Sequence, residues 1–327
     1  PDGKTMKVGD YVDYDPTLEA KASDLTYTST ADKTGADSNQ EFNVSTYKSA
    51  GYGWRILGVS NGKIRLISEE FIGAGTYTDS NRTKYTLKGQ KGYINGIEEL
   101  NKISAIFGHG KGAEKATSIT VEDINGITGY NQETAKYGKG TFWEYGNKVT
   151  HTRGEGDTLS SSATNGKTWS GTQSTFNYYD KTNKTFKALT SGSTEITSTA
   201  YIYGPATLKD GFTQPVQGVD ENGTYNEVNQ MLFGKWTMTA DNGYYRSFTG
   251  TGTEPRYWLA SDFVSAYSGY GVYWGLRSVS DGGVYYYGLY YSSGDEYGNS
   301  YGVRPVVSLK SDVSLEWNET AKEWKIK

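Results

Sequence analysis

Forty consecutive positions, residues 262 to 301, hold 10 Tyr, 8 Gly and 7 Ser and not one Lys, Thr, Gln, Met or Pro, in a chain with 25 Lys. An apolar framework runs through and beside them: Trp258, Leu259, Val264, Leu276, Val279, Val284, Leu289, Val303, Val306, Val307 and Leu309. The spacing predicts strands at 256 to 260, 272 to 279, 284 to 291 and 302 to 309. Where alternate residues of such strands face a core, the tyrosines between them face solvent. Exposed aromatics in that number cost solubility unless a partner covers them. The composition is that of a paratope: tyrosine gives a large, rigid, amphipathic contact, while Ser, Gly and Asn give adaptable hydrogen bonding. The plain alternative is a wet sheet face with cross-strand aromatic pairs.

Composition narrows the function classes. A length of 327 residues suits two domains of ~150 residues or one elaborate one. No run approaches the ~20 apolar residues of a membrane span, and mean hydropathy is -0.68. With 33 basic against 37 acidic residues, a net charge of -4 and no basic stripe, nucleic acid is not an expected partner. The absence of cysteine excludes disulfides, thiolate metal sites and Cys nucleophiles. The chain opens at Pro1, with its first Met at position 6 and no charged-then-apolar leader, and reads as the mature or cloned ectodomain of a longer, anchored product.

The clearest local signal is a hairpin over 52 to 70. Tyr52, Trp54, Ile56 and Gly58 alternate before Asn61-Gly62, and Ile64, Leu66 and Ile67 follow it; Asn-Gly supplies the two positive φ angles of a type I′ turn. Lys7 to Tyr14 reads as a short strand, and Leu315 and Trp317 face Trp324 and Ile326 in a closing hairpin. Ile94, Ile97, Leu100, Ile103 and Phe107 predict an amphipathic helix over 93 to 107 that ends at Gly108. A second helix starts at Thr120, with Asp123 three residues on, and a short one covers Glu227 to Phe233. Residues 138 to 225 turn to Gly, Thr, Ser, Asn and Lys: a β-rich insertion, mobile loop or both. Strands at both ends with helices between them suggest α+β.

The pattern Tyr257-Trp258-Leu259-Ala260-Ser261, Gly275-Leu276-Arg277 and Gly302 to Lys310 (Gly-Val-Arg-Pro-Val-Val-Ser-Leu-Lys) resembles the C-terminal region of variable proteins diversified by retroelements in gut bacteria and phages. The resemblance is specific over the last ~70 residues, weaker over Lys7 to Tyr14 and Gly53-Trp54-Arg55, and absent from 138 to 225. It implies a C-type lectin-like fold with paired terminal strands, two helices and the long Thr/Gly/Ser-rich insertion. On that expectation residues 1 to 327 form a single composite domain in which 256 to 310 are the variable ligand-binding region. In that family a reverse transcriptase miscopies template adenines, so that AAC codons become any NNC codon. NNC cannot encode Lys, Gln, Glu, Met or Trp, and within 262 to 301 that set occurs only as Trp274 and Glu296. The family's variable, ligand-facing role is therefore expected at Tyr267, Tyr270, Tyr273, Ser278, Asp281, Tyr285, Tyr286, Tyr291, Ser293, Asp295, Tyr297, Asn299 and Tyr301, with Gly302 to Leu309 as the invariant strand behind them.

Other motifs are set aside. Calcium-dependent sugar binding needs Glu-Pro-Asn or Gln-Pro-Asp with Trp-Asn-Asp; here Glu254-Pro255-Arg256 is the nearest match, and Arg is no calcium ligand. Asn165 to Thr168 ends like a phosphate loop but lacks its first Gly, and Gly108 to Gly112 reads as a helix-terminating loop. His109 and His151 have nothing to orient them as bases. Glu69-Glu70 and Glu98-Glu99 are expected at an exposed hairpin end and on a solvated helix face. For Arg277 and Arg304 a salt bridge or backbone contact is favoured over an anion clamp. No cofactor and no metal is expected. The sequence thus predicts a non-enzymatic, extracellular or cell-surface binding protein, in a pilus-associated setting if its missing anchor is prepilin-like. Its partner is protein or glycan on another cell, phage or host. The alternative is a pilin-like structural subunit whose tyrosines pack against other subunits. An enzyme on the related formylglycine-generating scaffold is disfavoured, since that chemistry uses cysteines.

Overall fold

The computed structural model describes residues 4–74, 85–129, 148–156, 159–163, 172–173, 175–199, 227–238, 246–250, 253–267 and 271–327. Its largest sheet has seven strands in the order Leu315–Asn318, Glu323–Ile326, Tyr11–Asp13, Trp54–Ser60, Lys63–Ser68, Pro305–Leu309 and Ala113–Ser118. The Asn61-Gly62 hairpin forms as its sequence dictates, with φ of +52° and +72° in the sense a type I′ turn needs. Trp54, Ile56, Leu66 and Ile67 are buried beneath it. The two chain ends meet in parallel, Val12 opposite Trp324, and Trp317 pairs with Trp324 in the closing hairpin. Every residue of the apolar framework is buried.

A helix covers Gly89–Ala105, starting four residues before the expected 93 because its entry is set from outside. The strand Tyr85–Lys88 pairs with Gly298–Tyr301, and the Glu296 carboxylate accepts from the Gln90 N–H at 3.3 Å, where an anion suits the helix N-terminus. Leu100 and Ile103 are fully buried, and Gly96 admits Leu276, whose Cδ2 would lie 3.0 Å from any Cβ there. The helix Val121–Thr128 has the expected capping box: Thr120 Oγ1 accepts from Asp123 N and Asp123 Oδ2 from Thr120 N. The short helix Glu227–Phe233 also forms.

The expected C-type lectin-like fold with two helices is overturned. Among the described residues the architecture is mixed α+β, with five α-helices and strands divided among several small, mainly antiparallel sheets. Two helices, Ala31–Thr34 and Val44–Ser49, escaped the sequence reading because one turn or so shows no periodicity. Their ends are set by single residues: Gly35 stops the first at φ +73° and Asn43 caps the second through its Oδ1. The tyrosine segment builds a separate three-stranded sheet, Tyr257–Tyr267, Gly271–Ser280 and Gly283–Tyr291.

Within 138 to 225 the described residues are largely β. Lys148–Arg153 lies between Leu159–Ala163 and Gly192–Thr197, and Asn177–Asp180 pairs with Thr185–Ala188. This last hairpin covers the helix-facing side of the tyrosine sheet: the Phe186 ring stands 5.1 Å from Trp274 and 4.4 Å from Tyr290, and Tyr179 lies edge-on to Tyr93 at 5.1 Å.

Candidate functional site

The middle strand Gly271–Ser280 is buried throughout, and its two faces are chemically different. Val272, Trp274 and Leu276 join the core under the helix Gly89–Ala105. Tyr273, Gly275 and Arg277 alternate onto the other face. There the rings form a continuous chain. Phe263 stacks on Tyr286 with centroids 3.9 Å apart, Tyr286 meets Tyr273 at 6.0 Å, Tyr273 stacks on Tyr291 at 5.1 Å, and Tyr291 reaches Tyr297 at 4.9 Å. The hydroxyls of Tyr273 and Tyr286 are hydrogen-bonded at 3.3 Å. The Arg277 guanidinium lies 4.7 Å above the Phe263 ring and donates to Thr199 Oγ1 at 3.4 Å.

Local chemistry explains the geometry. Asp281-Gly282 turns the hairpin with φ of +47° and +72°, and Asp281 N donates to Glu254 Oε1 at 2.8 Å. Glu254 in turn holds Arg256 through both carboxylate oxygens, each at 3.2 Å. The Glu254-Pro255-Arg256 motif is thus a clamp on the turn. At Gly275 the register shifts by one residue, and the Tyr287 carbonyl comes so close that a Cβ would sit 1.8 Å from it. Phe263 (1%) and Tyr273 (6%) are buried, Tyr286 and Tyr291 are half-buried, and Tyr297 at the end of the ring chain is 48% exposed.

The thirteen expected ligand-facing residues separate accordingly. Tyr273, Tyr286, Tyr291 and Tyr297 are brought together in the ring chain. Tyr285 is half-buried on the opposite face, across from Ser278, which is fully buried. Tyr301 is buried against Trp258 at 4.7 Å. Asp281 occupies the hairpin turn, and Ser293 and Asp295 share a hydrogen bond of 2.8 Å in the exposed turn before Tyr297. Asn299 lies on the strand paired with Tyr85–Lys88, opposite Leu87. Tyr267 ends its strand opposite Gly271, and Tyr270 lies outside the described residues. The expectation that tyrosines near 284 to 291 face solvent is corrected: Tyr285, Tyr286, Tyr287 and Tyr291 are half-buried and Tyr290 is buried, the last under Phe186 from the insertion.

Phe263 was missed, since it belongs neither to the framework nor to the Tyr/Ser/Gly positions; its alternation with Ser265 was the available signal. Arg304 is a buried staple. Its guanidinium donates to the carbonyls of Ser68, Glu69, Met231 and Leu232 and to Tyr257 Oη. Glu99, expected on a solvated helix face, is 1% exposed and accepts from Tyr27 Oη and Ser29 Oγ at 2.7 Å each. His151 is buried with neither ring nitrogen hydrogen-bonded, its ring stacked 4.2 Å from Phe176. Asn165 to Thr168 lies outside the described residues. Among the described residues no cluster of three metal-ligating side chains occurs, and no helix is long and apolar enough to cross a membrane. No protein-family model, curated protein or solved structure matches the chain.

Proposed function

We propose that the chain is a surface-displayed, non-enzymatic binding protein whose Tyr/Ser/Gly-rich face is diversified by a retroelement and docks protein or glycan on another cell, phage or host. The observation that carries the reading is the ring chain from Phe263 to Tyr297, which is anchored in the core at one end and open at the other. Rigid aromatic anchors of this kind lose little conformational entropy on binding and supply hot spots. A second observation supports diversification. The two residues of 262 to 301 that NNC codons cannot encode both have structural duties: Trp274 is buried beneath the insertion hairpin and Glu296 sits at the entry of the helix Gly89–Ala105.

The test is deep sequencing of the codons for 262 to 301 in a population of the source organism. Substitutions clustered at Tyr286, Tyr291, Ser293, Asp295 and Tyr297, sparing Trp274, Leu276, Arg277, Glu296 and Gly302 to Leu309, are expected. An invariant segment would overturn diversification. Once a ligand is in hand, Tyr291→Ala with Tyr297→Ala should abolish its binding and leave the fold intact. The pair Tyr285→Ala and Tyr286→Ala is less clean, because Tyr286 stacks on a buried ring.

A further inference from the structure

A separate cleft of about 680 Å³ opens between the segment Lys7 to Asp10, the residues Glu69 to Phe71, the helix Glu227–Phe233 and the residues Phe248 to Gly250, Thr253 and Pro255. The volume is in the range that encloses a small ligand. Its described lining carries four basic and four acidic side chains, so it has no field for either a phosphate or a polycation. At one wall the polar groups are already ordered. Tyr11 Oη donates to Glu69 Oε1 at 2.5 Å and accepts from Arg55 Nη2, while Gly53 N donates to Glu69 Oε2 at 3.0 Å. Burial raises the Glu69 carboxyl, but the bonds from Tyr11 and Gly53 and the charge of Arg55 together hold it below the usual carboxylate range. It is an acceptor at neutral pH. At the floor, all five N–H donors of Arg304 are spent on the four carbonyls and the Tyr257 hydroxyl described above, so Arg304 shapes the cleft and leaves no donor for a ligand. The lining also includes Met231, Phe248 and Pro255, which supply its apolar part.

We infer that this cleft binds a short neutral glycan. A sugar hydroxyl both donates and accepts, so it pairs with carboxylates such as Glu70 and Glu227 and with cations such as Lys7 and Lys235 without meeting an unbalanced like charge. The apolar part of the lining suits the C–H face of a pyranose ring. A charged ligand would face as many like as opposite charges. The inference is independent of the aromatic face.

The test is NMR on the full chain: saturation transfer to maltotriose, cellotriose, chitotriose and spermidine, and 31P line broadening for inorganic phosphate. At least one trisaccharide should bind in the millimolar range or tighter. Glu227→Gln and Lys235→Ala, both on exposed positions, should each weaken it roughly tenfold, the loss of one hydrogen bond to a charged group. Tyr291→Ala with Tyr297→Ala should leave it unchanged. Failure of all three sugars at ~10 mM, tighter binding of phosphate or spermidine in the cleft, or loss of sugar binding only on the tyrosine substitutions would each overturn the assignment. None of these results bears on codon diversity in 262 to 301.

Discussion

The rings of Phe263 and Tyr286 lie face to face, 3.9 Å between centroids and 13° between planes, although a whole strand separates the two residues in the sheet. Next-but-one strands stand ~9.5 Å apart, so the contact requires an opening on the middle strand. Gly275, the partner of Phe263, provides it. The tyrosine face is therefore cohesive in its own right, with part of its aromatic surface committed to the fold.

Phe263→Ala should destabilise the protein by ~3–5 kcal/mol, as for other fully buried Phe residues. Tyr286→Ala, at a half-buried position, should cost less. The double variant should reveal a coupling of ~0.5–1.5 kcal/mol between the rings. Urea unfolding of the four proteins measures all three quantities, and additive effects would mean that the stack contributes nothing of its own.

Gly275→Ala should be among the most damaging single-methyl changes available. Its Cβ would overlap the Tyr287 carbonyl at 1.8 Å, where backbone must move, and the cost should reach or exceed the top of the ~1–3 kcal/mol range for overpacking. Gly126→Ala is the control. It lies in the helix Val121–Thr128 with no atom within 4 Å of the added Cβ, and should stabilise by ~0.5–1 kcal/mol. Thermal melts of the two variants should move in opposite directions.

His151 predicts acid sensitivity. Burial lowers its pKa from 6.5 to about 4. Between those values the unfolded chain holds a proton that the folded chain lacks, so stability falls as pH drops from 6.5 towards 4. At ~1.36 kcal/mol per pH unit the loss amounts to about 3 kcal/mol. His151→Phe keeps a ring against Phe176 and should remove this slope, whatever its effect at pH 7. Urea midpoints at intervals from pH 4.5 to 7.5 read the slope directly, and an unchanged slope in the variant would assign it to other groups.

Arg304→Met should be severely destabilising. It removes the guanidinium that serves the carbonyls of Ser68, Glu69 and Met231, while Leu232 keeps the Tyr257 hydroxyl, at ~1–3 kcal/mol for each buried group left unsatisfied. Circular dichroism melts test this; a wild-type melting temperature would mean that water replaces the guanidinium at no cost.

Local signals were well placed in the sequence. Asn61-Gly62, the Thr120/Asp123 cap and the Trp317/Trp324 hairpin are each written in a few neighbouring residues, and each forms. The short helices at 31 and 44 were illegible because one or two turns show no period, and with them went the expected two-helix fold. The candidate site was legible as a composition. Its membership was not, since Ser278 and Tyr301 are buried while Phe263 belongs to the face.

What the sequence by itself determined is thus the inventory of turns, caps and framework strands, together with the concentration of tyrosine between 262 and 301, because these depend on backbone preference and short-range periodicity. Only the tertiary structure decided which tyrosines are exposed or half-buried and which are core. That choice is made by residues distant in the chain: Phe186 covers Tyr290, Thr199 receives Arg277, and Glu296 meets the helix at Gln90. The same phenol is exposed or packed according to what lies over its ring, and alternation along one strand carries no information about that.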